Sequence, residues 1–350
     1  MPFRNMKMKR LLGSLFFLWI ILDLSGQSNS VFSLIQQDSV VNIFLDMDWK
    51  ELSRKKREKV YLPARLKFQT KANEPFSIDM KVRARGNMRL DICSSPPLKI
   101  KFDKAGLANR SLAPHNEIDL VNRCHTGDMY DQFILKEYLA YKLYQEISPY
   151  SFQVQLVRLH YQNPDGLPAY PPAVAFLVEN TEELVARVGG RKNKTDVMSR
   201  NALDSESLLK VCLFQYMIGN TDWFIQNRHN LEFIAVPGHP LLITVPFDFD
   251  YSGLVSAPYA AHHESIELPS VSVRYYQGKC APPEEVYAAL SLFKDKKEIL
   301  LNMHKQIPGI SDQSIKHVQG YLEDFFTIIE NPKKTENHIL RHCDMWPVEN

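Results

Sequence analysis

The chain has 350 residues, 45% of them hydrophobic and 23% charged, a balance that excludes a disordered or fibrous protein and allows one large or two modest cores. Its 42 basic and 40 acidic residues leave a net charge of +2, so no strong field draws it to nucleic acid or to an anionic membrane surface. The five cysteines, Cys93, Cys124, Cys212, Cys280 and Cys343, are too few for a disulfide scaffold and lack the close pairing of zinc sites.

In chain order, Arg4, Lys7, Lys9 and Arg10 precede an apolar run over residues 11–24 that is followed by Ser25 and Gly26. This order predicts a secretory signal peptide over residues 1–26 and an extracytoplasmic, secreted or periplasmic mature chain. The run is short for a membrane span and contains Asp23, and no later segment is long and apolar enough to span.

Residues 40–45, 61–68, 78–85, 98–102 and 117–121 then read as short strands between turn residues. Ile78, Met80, Val82 and Ala84 alternate with Asp79, Lys81, Arg83 and Arg85, which marks a half-buried antiparallel strand. Leu98, Ile100 and Phe102 alternate in the same way with Lys99 and Lys101. Cys93 and Cys124 flank this strand region and are expected to pair in an oxidising compartment. A helix is predicted over residues 128–147, where apolar residues recur three and four apart and no proline intervenes.

Strands over 153–160 and 174–178 bracket a loop rich in proline and tyrosine, and the composition changes after Glu179 and Asn180. A helix from Thr181, a basic loop over 189–194 and a strongly apolar helix over 205–218 follow, the last holding Cys212 as a buried free thiol. Two short strands over 231–235 and 241–245 come next, then a long loop and helices over 284–293, 296–304 and 311–329. Residues 31–180 thus form a sheet-rich half and residues 181–350 a helical one. Within the loop, Arg274, Tyr275 and Tyr276 suggest a basic, aromatic surface that meets substrate.

The residues most suited to chemistry lie in the second half. Gly219-Asn220-Thr221-Asp222-Trp223 puts a carboxylate at the end of an apolar helix, His229-Asn230 puts an amide just before a strand, and Pro246-Phe247-Asp248-Phe249-Asp250 puts carboxylates just after the next strand. A short hairpin would bring Asn230 and Asp248 side by side, with oxygen ligands sufficient for a magnesium nucleotide. In the first half, Glu137 shares a helix face with Phe133, Ala140, Tyr141 and Tyr144, and a carboxylate on such a face calls for a cationic partner from the adjacent strand.

Together with Arg85-Gly86-Asn87 and the Pro97-Leu98-Lys99-Ile100-Lys101-Phe102 strand, these motifs make residues 40–253 similar to the spore-coat protein H (CotH) kinases, an atypical branch of the protein-kinase-like fold. The resemblance implies an α+β, two-lobed protein-kinase-like fold, with an antiparallel small lobe over 31–180 carrying one main helix, and a helical large lobe over 181–350. It implies ATP with Mg²⁺ or Mn²⁺ between the lobes, Asp222 as catalytic base and Asn230 and Asp248 as metal ligands. Lys99 would pair with the phosphates, with Lys101 on the same strand face as the alternative, and Glu137 would be its partner. Arg85 would belong to a turn covering the phosphates, and Glu179 and Asn180 would lie beside the adenine.

The implied reaction is phosphoryl transfer to a hydroxyl of an extracytoplasmic protein. A nucleotide-binding scaffold without transfer and an adenylyl transferase are the alternatives. The sequence departs from the ordinary kinase pattern in having no glycine-rich loop, no His-Arg before Asp222 and Asp250 in place of glycine. The interval from Asp222 to Asn230 is also longer than in that pattern, where Asn227 would be the match.

Overall fold

The computed structural model describes residues 29–196, 198–262, 266 and 268–343; the expected signal peptide lies outside them. A short helix α1 (Val31–Ile35) leads into β1 (Val41–Met47), α2 (Trp49–Lys55), β2 (Leu62–Gln69), β3 (Pro75–Ala84), α3 (Met88–Ile92), β4 (Leu98–Phe102), α4 (Lys104–Ala108) and β5 (Glu117–Asn122). The long helix α5 (Asp128–Ile147) then crosses to β6 (Val154–Gln162) and β7 (Pro168–Val178). The predicted 128–147 helix matches in both ends, whereas β7 begins earlier than expected because a tight turn at Gly166, with φ of +82°, returns the chain directly from β6.

These seven strands form a closed barrel in the order β1-β2-β3-β4-β5-β7-β6. The expected two-lobed protein-kinase-like fold with an antiparallel small-lobe sheet is therefore wrong in its central element. Six of the seven joints are antiparallel, but β6 pairs parallel with β1 in the register Val41↔Val157, Ile43↔Leu159, Leu45↔Tyr161. Every one of those six side chains is buried. Joining the two apolar rows fills the barrel and leaves neither strand with an open edge, which is the physical reason for closure. Alternation in the sequence shows that each strand has an apolar face, and it does not show what lies across each edge.

The barrel interior holds Ile43, Leu66, Val82, Ile100, Leu120 and Leu177 among its fully buried side chains. The outer face of β6 and β7 turns Leu156, Phe176 and Val178 toward α5, and these belong to the core shared with the helical half. That half comprises α6 (Thr181–Arg187), β8 (Arg191–Lys192), α7 (Ser205–Ile218), β9 (Leu231–Ala235), β10 (Ile243–Pro246), α8 (Pro283–Asp295), α9 (Lys297–Asn302), α10 (Asp312–Ile329) and α11 (Pro332–Thr335). Strands β10, β9 and β8 form a separate small sheet. Helix α7 is apolar all round because it is enclosed: Val211, Leu213, Phe214, Met217 and Ile218 are all fully buried.

The Arg274 side chain is engaged within the fold. Its guanidinium lies 3.8 Å from the Tyr321 ring centroid and donates to the main-chain oxygens of Met217 and Tyr321, while Tyr276 is buried beside Tyr216. The segment is a staple between α7 and α10, since a half-buried guanidinium replaces lost water with a ring face and carbonyls.

Disulfides join Cys93 to Cys124, as expected, and Cys280 to Cys343, and Cys212 is a buried free thiol. Two disulfides are compatible with an extracytoplasmic location. Among the described residues no helix is long and apolar enough to cross a membrane.

Candidate active site

Helix α7 ends at Gly219, whose φ of +65° turns the chain sharply, and the Tyr321 hydroxyl lies where any Cβ would project. Asn220 then donates to Gln215 and accepts from the Asp222 N–H at 3.0 Å, a local turn that presents the Asp222 carboxylate. Strands β9 and β10 pair with Leu231 opposite Pro246, and the Phe247 N–H donates to the Asn230 carbonyl at 3.1 Å. The hairpin therefore delivers Asn230 and Asp248 to the same end of the sheet, as the spacing implied.

Three left-handed residues mark this end: Arg228, Asn230 and Asp248 have φ of 57°, 54° and 63°. Asn and Asp tolerate that conformation better than other side chains, and strained backbone of this kind gathers at sites that need fixed geometry. The Asn230 amide donates to the Asp222 carbonyl at 2.7 Å and to Asp222 Oδ2 at 3.0 Å, so its own Oδ1 is the atom left for a cation. His229 Nε2 lies 2.9 Å from Asp222 Oδ1, and this hydrogen bond raises the histidine pKa above its ordinary value. Asn227 accepts from the His229 N–H and shapes the turn, so Asn230 is the amide that meets Asp222.

Asp248 donates its N–H to the Tyr141 hydroxyl of α5 at 2.9 Å. Its carboxylate is partly exposed and faces the Arg85 guanidinium at 3.8 Å, while Arg85 also pairs with Asp119 at 3.2 Å. Arg85, Lys99, Asp119, Tyr141 and Glu179 line a cleft of about 540 Å³, of the size that holds small-molecule ligands. Of the two lysine candidates Lys99 lines this cleft, paired to Asp119 at 3.0 Å and Glu117 at 3.5 Å, and Lys101, nearer the surface, pairs with Glu117 and lies over the Tyr61 ring.

Lys99 and Glu137 form no ion pair, against expectation. Two acidic residues of the neighbouring strand β5 lie closer to Lys99 and take its charge. Glu137 is fully buried in α5, with Oε1 lacking any hydrogen-bond partner. Burial and the carboxylates of Asp250 and Asp248 push its pKa well above the ordinary range, against the opposing charges of Arg89 and Arg85.

Glu179 and Asn180 stand at the cleft, but both side chains are committed to the fold. Glu179 accepts from Arg187 at 2.6 Å and from the Gln153 N–H at 2.8 Å, and Asn180 caps α6 while donating to the Glu117 carbonyl.

Sequence reasoning missed the layer behind the site. Arg89 of α3 is buried, donates to the Asn122 carbonyl at 2.8 Å, and meets Asp250 at 3.4 Å. The Tyr259 hydroxyl donates to the same Asp250 oxygen at 3.0 Å. Burial and the Asp248 carboxylate outweigh the single long contact to Arg89 and push the Asp250 pKa up to about 7. The alternating Phe247-Asp248-Phe249-Asp250-Tyr251 run carried the signal, because a carboxylate held among aromatic side chains calls for a cation, though not for a particular one.

Among the described residues no three His, Cys, Asp or Glu side chains form a ready metal cage. Magnesium does not require one, since it takes one or two protein oxygens and completes its shell with phosphate and water. Asp248 and Asn230 Oδ1 fit that smaller requirement.

No family model matches the chain, and no curated protein shows significant similarity to it. Among solved structures, the Helicobacter pylori proinflammatory kinase CtkA is similar at a TM-score of 0.39 and 9% identity, over 71% of this chain and 92% of that one. A likeness at that level does not establish a common fold.

Proposed function

We propose that the cleft binds ATP with Mg²⁺ or Mn²⁺ and that the protein transfers the γ-phosphoryl group to a hydroxyl of an extracytoplasmic protein. The observation that carries this reading is the contact between Asp222 and Asn230, on the hairpin end shared with Asp248, beside a cleft that contains Arg85 and Lys99. Asp248 and Asn230 would hold the divalent ion, which neutralises phosphate charge when bound. Arg85 and Lys99 would orient the phosphates, with Lys99 exchanging part of its pairing to Glu117 and Asp119 for phosphate oxygens.

Asp222 would accept the acceptor's proton as the new oxygen–phosphorus bond forms and the bond to the departing ADP oxygen breaks. His229 and Asn230 occupy one oxygen each of that carboxylate and fix its plane. His229 acts by positioning, and Asn230 does so besides offering its Oδ1 to the metal.

One observation favours a second reading, a nucleotide-binding protein without transfer. Arg85 already sets a positive charge 3.8 Å from Asp248, where a metal would otherwise stand. The deciding experiment is a thermal-shift titration with ATP and each metal, followed by analysis of the nucleotide product. Stabilisation with ADP release supports phosphoryl transfer, pyrophosphate release supports adenylyl transfer, and stabilisation with neither supports the scaffold. No stabilisation of the folded protein with any divalent metal refutes all three.

A further inference from the structure

A second cavity, of about 390 Å³, lies beside the Cys93–Cys124 disulfide. One wall is aromatic. Trp49 of α2 meets Tyr161 of β6 edge to face at 4.8 Å, and Tyr161 meets Tyr170 of β7 in the same way at 5.9 Å. The indole is locked in place by its N–H, which donates to the Gln162 carbonyl at 2.9 Å. Tyr170 stands at the rim, 45% exposed.

The opposite wall is built from the two segments that the disulfide joins. Ser94 donates to the Cys124 carbonyl at 3.1 Å and lies 3.2 Å from His125 Nδ1, and Ser95 accepts from the Asn122 amide. Arg123 is buried in this wall and keeps one long contact among the described residues, to Asp131 at 3.5 Å. Among the described residues this occupies one of its five N–H donors, and the guanidinium lines the cavity with the rest. No Asp or Glu lines the cavity among the described residues, so hydroxyls, a histidine and a guanidinium face the space, and the one carboxylate near Arg123, that of Asp131, stands outside the lining.

A buried guanidinium with spare donors favours an anion, and a wall of edge-packed rings favours a flat apolar body. We propose that this cavity binds a small aromatic anion, with its ring against Trp49, Tyr161 and Tyr170 and its carboxylate or phosphate at Arg123. The site is independent of the nucleotide cleft. It is formed by α2, the disulfide-joined loops and the outer ends of β6 and β7, and it shares no lining residue with the cleft.

The test is tryptophan fluorescence of the disulfide-intact protein, titrated with benzoate and with phenyl phosphate, with benzyl alcohol as the uncharged control. Saturable quenching by either anion is expected, with dissociation constants on the order of 1 mM or tighter for so small a probe. The tighter of the two names the preferred head group. Arg123→Lys should weaken binding about tenfold or more, because an ammonium cannot present a planar fork.

Should that variant lose its melting transition, Tyr170→Ala decides, since removing a rim side chain leaves the core intact and should still weaken binding severalfold. The proposal is overturned by absence of saturation up to about 10 mM, by equal binding of benzyl alcohol, by displacement of the anion with ATP, or by folded Arg123 and Tyr170 variants that bind as the unaltered protein does.

Discussion

Asp250 should make this protein lose stability as the pH rises from acid to neutral, and Asp250→Asn should remove most of that loss. The residue is buried, with Arg89, Tyr259 and the Asp248 carboxylate around it, and its pKa is pushed from 3.8 to about 7. The folded protein therefore holds this proton to higher pH than the unfolded chain does. The stability linked to it is fully present below 3.8 and disappears as the pH rises through about 7. At 1.36 kcal/mol per unit the shift corresponds to about 4 kcal/mol across that window.

Asparagine resembles the protonated acid in size and charge, so variant and parent should have similar stabilities near pH 4. The variant should gain on its parent steadily toward pH 7.5. Urea unfolding at half-unit steps, followed by tryptophan fluorescence, measures the difference directly, and that difference includes the part of the Glu137 shift that the Asp250 carboxylate supplies, which has the same sign. A difference that stays constant with pH, or one that moves against the variant, would show that Arg89 keeps Asp250 ionised and would refute the reasoning.

Three further outcomes follow from the same contacts. Arg89→Met should destabilise the protein by about 1–3 kcal/mol at neutral pH, since Asp250 can keep its proton and the main loss is the donor to the Asn122 carbonyl, and urea unfolding showing no loss would exclude a structural role for Arg89. Asp222→Asn should lower the His229 pKa toward its ordinary value, so the pairing of the two residues, present at acid pH and lost as the pH rises through the raised histidine pKa, should vanish from an NMR titration; an unchanged midpoint would mean that the hydrogen bond is not formed in solution. Asn230→Gly keeps the left-handed backbone that φ of 54° requires, so folding should survive while metal-dependent stabilisation by ATP is lost, and calorimetry showing intact binding would remove Asn230 from the ligand set.

The sequence by itself determined the local structure and the covalent frame. The helices over 128–147 and 205–218, the strands over 98–102 and 231–235, the Cys93–Cys124 disulfide and the buried Cys212 were all readable from period, turn residues and composition. The approach of Asn230 to Asp222 was readable too, because a short hairpin leaves few places for its ends to go.

Only the tertiary structure decided what pairs across distance. Strand β6 closes the barrel on β1 across more than a hundred residues of intervening chain, and alternation within a strand is the same whether its edge is open or closed. Charge pairing followed the same limit. Glu137 announced its need for a cation, yet Lys99 was taken by Glu117 and Asp119 while Arg89 and Arg85 supplied the positive charge near Glu137. A side chain carries its own cost of burial in its chemistry. Which of several partners meets that cost depends on distances that exist only once the chain has folded.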